Sequence, residues 1–129
     1  MTVYKNASVY TGSEWVTLAT AVGDSTQRTV GNVTASSYTL GVSDAGKALI
    51  FSNASSVSIE IPAELTYNFT IGQTFILVQS GDGQLTVSGA VGVTLRSLSS
   101  NVKSSGKYAE LRLIKIATNE WLLSGDLTA

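Results

Sequence analysis

Residues 70–95 read TIGQTFILVQSGDGQLTVSGAVGVTL. Phe75 to Val78 is an unbroken run of strand-favouring apolar residues, too short for a useful helix and apolar on both faces. Such a run predicts a central strand covered on each side. Ser80-Gly81-Asp82-Gly83 ends it, and the two glycines and the aspartate are expected to supply the positive φ of a tight reversal. Leu85 and Val87 then alternate with polar neighbours, as do Val91, Val93 and Leu95 after Gly89-Ala90. Period-two alternation means one buried face and one wet face. A central strand, a hairpin and a third strand are expected here, in an all-β chain.

The same rhythm extends to both sides. Tyr38, Leu40 and Val42 alternate with Thr39, Gly41 and Ser43; Asp44-Ala45-Gly46-Lys47 reads as a turn before the apolar run Ala48 to Phe51. Val57, Ile59 and Ile61 alternate up to Pro62, which has no N–H for a ladder. Ala63-Glu64-Leu65 suits one helical turn. Tyr108 to Ile116 is the longest strand candidate, with Ala109, Leu111 and Leu113 on one face; Thr118-Asn119-Glu120 turns it into Trp121-Leu122-Leu123. Near the N-terminus, Val9-Tyr10, the turn Thr11-Gly12-Ser13-Glu14 and Trp15-Val16-Leu18 make a hairpin, and Thr20 to Ser37 reads as a connector with little structure of its own. The hairpin is either an edge addition to the main domain or an arm docking on a neighbouring subunit. Thr11 to Val16 and Ala117 to Leu122 share the order polar turn, Glu, Trp, aliphatic, as two similar hairpins would. The expected architecture is an antiparallel β-sandwich or jelly-roll-like barrel of about 8–10 strands. Residues 1–36 form an N-terminal arm, hairpin and connector, and residues 37–129 the β-sandwich domain.

Composition narrows the chemistry. The 129 residues fit one domain. There is no cysteine, so no disulfide framework, thiolate nucleophile or Cys-ligated zinc site is available. There is no histidine, the commonest general base and metal ligand. Charge is sparse, at a formal −1, with no basic patch to neutralise phosphates, so nucleic acid is not an expected partner. Met1 to Tyr10 lacks the apolar core of a signal peptide, and no segment approaches the ~20 apolar residues of a membrane span. The expectation is a soluble chain made in a cytoplasm. Asp24, Asp44, Asp82 and Asp126 sit in turns, where carboxylates cap backbone N–H groups. Glu60 and Glu110 are the one pair weighed for acid–base work, and wet strand faces explain them as well. No catalytic residue, cofactor or metal ligand set is expected, and the chain reads as a non-enzyme. A platform of exposed aromatics that stack on sugars is the alternative use of its tyrosines and tryptophans.

From Ser37 to Leu127 the motifs run Ser-Tyr-Thr-Leu, Asp-Ala-Gly-Lys, a strand ending Ile-Pro, Ile-Gly-Gln-Thr-Phe, a Gly-rich Val-rich block, then Leu-Ile-Lys-Ile-Ala-Thr-Asn-Glu-Trp-Leu-Leu-Ser-Gly-Asp. This order resembles a domain of tailed-bacteriophage virion proteins, both capsid decoration (cement) proteins and tail-fibre or appendage proteins. The resemblance implies a structural protein on the virion surface, a homotrimer bound to the phage major capsid protein and stabilising the shell. Its alternative is a tail-fibre or receptor-binding module contacting host glycans. On the first implication the expected protein-contact residues, toward the capsid or a neighbouring subunit, are Tyr4, Tyr10, Trp15, Val16 and Leu18 in the arm.

Overall fold

Each stretch with period-two alternation becomes a strand, because alternate side chains of an extended backbone point to opposite faces. The computed structural model describes Ser8–Tyr10, Trp15–Thr17 and residues 28–129. Its strands are β1 (Ser8–Tyr10), β2 (Trp15–Thr17), β3 (Val30–Val33), β4 (Ser37–Thr39), β5 (Ala48–Phe51), β6 (Val57–Ile61) and β7 (Thr74–Gln79). They continue with β8 (Leu85–Gly89), β9 (Thr94–Ser97), β10 (Lys103–Ser104), β11 (Glu110–Ala117), β12 (Glu120–Gly125) and β13 (Leu127–Thr128). Helix is confined, among the described residues, to the 3-10 turns Val42–Asp44 and Leu98–Ser100. The chain is all-β. The strands outnumber the expected set because β3 was hidden in the supposed connector and β10 and β13 have two residues each, too few for alternation to register.

β1 and β2 form the expected antiparallel hairpin, with Tyr10 opposite Trp15. The remaining strands make two sheets, in the orders β13-β10-β8-β6-β4 and β3-β5-β7-β11-β12-β9. From β3 to β8 the chain changes sheet at every strand, and each strand lies parallel to the one two places on. Leu49 thus stands beside Leu77, Val57 beside Leu85 and Ile59 beside Val87. Only β7, β11 and β12, and the short β8, β10 and β13, pair antiparallel; β9 returns parallel to β12. The expectation of an antiparallel sandwich or jelly roll is corrected here, since five ladders are parallel. The expected hairpin after Phe75–Val78 is corrected as well: the loop at residues 80–84 carries the chain from one sheet to the other.

The boundary drawn at residue 36 also moves. β3 pairs with β5 from Val30↔Ala48 to Val33↔Phe51, and Val33 is buried in the core, so this part of the supposed connector belongs to the body. Gly31-Asn32 had broken the apolar pattern there.

One core fills the space between the sheets. Leu49, Phe51, Phe75, Leu77, Leu111, Leu113, Trp121 and Leu123 come from one layer, and Val57, Ile59, Ile61, Leu85 and Val87 from the other. The buried polar groups tie the layers together: Ser104 Oγ on β10 donates to Gln79 Oε1 on β7 and accepts from the Leu85 backbone N–H at 2.8 Å. The outward faces differ sharply. In the smaller sheet the cross-strand row is Ser37, Ser58, Thr86 and Lys103; in the larger it is Val30, Ala48, Ile76 and Arg112.

Gly81 and Gly83 do not adopt the positive φ expected of them, which is found instead at Gly46, Gly72, Gly92 and Gly125. They are glycine because the loop lies flush on its neighbour. A Cβ on Gly83 would sit 1.8 Å from the Ser55 carbonyl oxygen, and Gly83 N–H donates to the Asn53 carbonyl at 3.0 Å. Gly83→Ala is expected to destabilise the fold by roughly 1–3 kcal/mol, the usual cost of overpacking. Gly106→Ala, whose Cβ meets nothing within 4 Å, should stay within about 0.5 kcal/mol. Urea denaturation midpoints of the two variants check the contrast.

Candidate docking surface

The winding places like connections together. β6 and β8 end side by side at Ile61↔Gly89, while β3, β5 and β7 start side by side at Val30, Ala48 and Thr74–Ile76. The turn from Ala117 to Glu120 and the start of β9 at Thr94 join the same end through the Glu120↔Thr94 pair. Loops 40–47, 62–73, 90–93 and 118–119 therefore converge there. Hydrogen bonds knit them: Ala90 N–H donates to Ile61 O (2.9 Å) and Thr94 N–H to Asn119 O (2.8 Å).

Of the ten large apolar side chains that stand in solvent among the described residues, these loops carry five, Val42, Leu65, Tyr67, Ile71 and Val91, and Val30 at the start of β3 adds a sixth. Leu65 and Val91 are fully exposed, at 102% and 98%. Scattered exposed aliphatics are ordinary, and a group gathered at one end makes that end the candidate docking surface. The opposite end is built from loops rich in Ser, Asn, Gly and Asp, with Leu98 (85%) and Tyr108 (72%) as its exposed apolar side chains.

Loop 62–73 is held from below by one lysine. Lys115 points into the protein and is 2% exposed. All three of its ammonium protons are used, by Glu64 Oε2 at 2.8 Å, Asn68 Oδ1 at 3.2 Å and Phe69 O at 2.6 Å. Glu64 is clasped a second time, since Asn119 N–H donates to Glu64 Oε2 (2.8 Å) and Glu64 N–H donates to Asn119 Oδ1 (3.0 Å). Asn119 manages this with φ +49, a left-handed backbone that asparagine tolerates. Phe69 wedges into the core edge-on to Phe75 and Trp121 at centroid distances of 5.2 and 5.7 Å. Between these anchors the Ala63 carbonyl accepts from Thr66 N–H (2.9 Å) and Tyr67 N–H (3.1 Å), closing the single turn expected there and lifting Leu65 outward.

The carboxylates at this end are engaged internally. Asp44 accepts Tyr38 Oη and Gly41 N–H, each at 2.8 Å, and Glu120 pairs with Arg96 at 3.0 Å. Burial, helped by the bond to the Asp44 carboxylate, pushes the Tyr38 phenol up to about 12. The surface thus offers apolar side chains with little free negative charge between them.

No family model matches the chain, and no curated protein matches it.

The residues expected to make protein contacts fall largely out of view. Tyr4 and Leu18 lie outside the described residues; Tyr10, Trp15 and Val16 lie in β1 and β2, but their side chains are outside the description. Glu60 and Glu110 are not brought together: they project from the outward faces of different sheets. Among the described residues no three acidic, His or Cys side chains gather as a metal site. Asp44 caps its own turn by accepting Gly41 N–H, whereas Asp126 Oδ2 accepts the distant Glu110 N–H on β11 at 3.0 Å and Asp82 pairs with Lys107 at 3.9 Å; Asp24 lies outside the described residues. A cavity of about 240 Å³ lined by Leu98, Leu122, Leu123 and Leu127 is apolar and carries no ionisable group.

Lys115 and Glu64 escaped sequence reasoning, although a lysine at an inward position of Leu-Ile-Lys-Ile was the available signal. Lys115→Met, which leaves the Phe69 carbonyl and the Asn68 amide oxygen unmatched, is expected to cost about 1–3 kcal/mol. The hydrogen bond from Lys115, with that from Asn119, holds the Glu64 carboxyl below its ordinary value of 4.5. A depressed folded pKa contributes stability that is full above the ordinary value and is lost as pH falls through the folded one. Stability of the parent should therefore decline below about pH 4.5, and Glu64→Gln should lack that component; denaturation at a series of pH values tests both.

Proposed function

We propose that the chain is a structural, non-enzymatic protein of a tailed-phage virion, a decoration protein seated on the outer capsid. It docks there through the apolar loop end, as a homotrimer bound to the major capsid protein, and its two layers around one core serve as a sandwich-like surface domain. The observation that carries this is the pair of fully exposed aliphatics, Leu65 and Val91, presented on pinned loops. Apolar contacts at the centre with polar groups at the rim are the usual anatomy of such an interface. A protein of this kind stabilises a shell by mass action, because it binds the assembled lattice and not the free subunits. The order of motifs from Ser37 to Leu127 supports the same reading.

One observation favours a second reading, an appendage module that contacts host glycans. Tyr108, at the opposite end, is 72% exposed and held at φ +70 beside Lys107 and Asp82. Rings in solvent stack on sugar faces, and a left-handed backbone at a bulky residue is a costly way to present one.

Copy number separates the two. Quantitative mass spectrometry of purified particles should give hundreds of chains per particle for a decoration protein and a few to some tens for an appendage. Leu65→Asp combined with Val91→Asp should abolish retention on particles while leaving unfolding within about 0.5 kcal/mol of the parent, as expected at exposed positions. Retention of the double variant at parental levels would show that docking uses another surface.

A further inference from the structure

The buried lysine sits in reactive company. Lys115 Nζ lies 3.2 Å from Asn68 Oδ1 and 2.8 Å from Glu64 Oε2, so an amine, a carboxamide and a carboxylate share one site. The carbon of the carboxamide, Asn68 Cγ, is one bond beyond that oxygen. Lys115 is 2% exposed, on the face of β11 that also carries Leu111 and Leu113, with Trp121 directly across the ladder. The backbone holds the partners in place. Gly72 N–H donates to Lys115 O at 2.7 Å and Lys115 N–H to Gln73 O at 3.0 Å, while the Glu64–Asn119 clasp fixes the start of the same loop.

We propose that Lys115 and Asn68 join in an intramolecular isopeptide bond, with Glu64 as the proton carrier. Carboxamides resist amines in free solution, but fixed contact is worth an effective concentration of roughly 10⁵ M or more. An amine withdrawn from water beside a base is the activated form of a lysine nucleophile. Glu64 takes one proton from the Lys115 ammonium, and the freed electron pair forms the Nζ–Cγ bond. Glu64 then hands that proton to Asn68 Nδ2, the Cγ–Nδ2 bond breaks, and ammonia leaves. A second proton passes from Nζ through the same carboxylate to the ammonia, which departs as ammonium. An ammonium and a primary amide have become a secondary amide and a free ammonium ion, with no oxidant or co-reactant. The one N–H left on Nζ still has the Phe69 carbonyl as an acceptor, now at 2.6 Å from that nitrogen.

The reaction runs once per molecule and consumes its own side chains, so the chain stays a structural protein. The ion pair and its pH dependence belong to the state before the bond. The bond closes a ring from residue 68 to residue 115 and ties loop 62–73 to β11, in a chain with no cysteine for a disulfide. Such a cross-link acts as a disulfide does, by constraining the unfolded chain. The inference does not depend on what the apolar loop end docks to.

The mass of the intact purified protein, after prolonged incubation at neutral pH, reads the bond directly. The expected mass is one ammonia below that of the sequence, with or without Met1. After trypsin, Asn68 and Lys115 are expected in one branched peptide, uncut at Lys115. Lys115→Arg and Asn68→Ala should each restore the full mass. Glu64→Gln, which keeps both partners, should slow the loss of ammonia by roughly a hundredfold or more. A parent that keeps the full sequence mass overturns the proposal, whether or not any variant folds. So does an ammonia loss that maps to a succinimide at another asparagine, one that persists in Lys115→Arg, or an undiminished rate in Glu64→Gln.

Discussion

The parallel register of alternate strands is the constraint on which the rest of the molecule depends. Because β3 to β8 switch layers at each step, every strand finds its neighbour two places along the chain, and the inward residues line up: Leu49 with Leu77, Val57 with Leu85, Ile59 with Val87. A slip of one residue in any of these ladders would turn core side chains outward and bring Ser58, Thr86 or Ser88 in. The same register collects all crossings of one kind at one end. The chemical difference between the two ends, and between the two outward faces, is thus a consequence of how the strands wind.

From that winding follows the division of surfaces. The end where β6 and β8 finish gathers Leu65, Ile71 and Val91 on loops tied to Lys115 and Asn119. Burying an ammonium is expensive, and such a group is retained only where several acceptors compensate it. Lys115 accordingly fixes a segment with no strand of its own, converting the least regular part of the chain into a rigid presenter of apolar tips. Ion pairs at the far end, such as Lys107–Asp82 at 3.9 Å, are open to solvent and contribute little.

Much of this was legible in the sequence, though not evenly. The run Phe75–Val78 correctly located a strand at the centre of a sheet, and the alternation of Val57-Ser58-Ile59-Glu60-Ile61 matches its burial residue by residue. Periodicity reports which face a residue occupies and is silent about partner and direction, so the hairpin assigned after Gln79 became a crossover between layers. Gly81 and Gly83 were recognised as necessary but for the wrong reason: steric contact with the neighbouring loop, not φ, demands them. β3 was hidden because Gly31-Asn32 interrupts its pattern. At the apolar loop end, Leu65 carries no sequence signal, and Val91, expected on the buried face of an alternating strand, instead stands exposed in the turn before β9, which begins only at Thr94. Lys115 did have a signal, in its inward position on β11.

The direct test of the wound core is a set of methyl–methyl nuclear Overhauser contacts in the isotopically labelled protein. The parallel winding predicts contacts between Ile59 and Val87, Val57 and Leu85, and Leu49 and Leu77, each pair in matching register. Cross-strand backbone contacts joining β7 to β8 or β5 to β6 as antiparallel hairpins would contradict it.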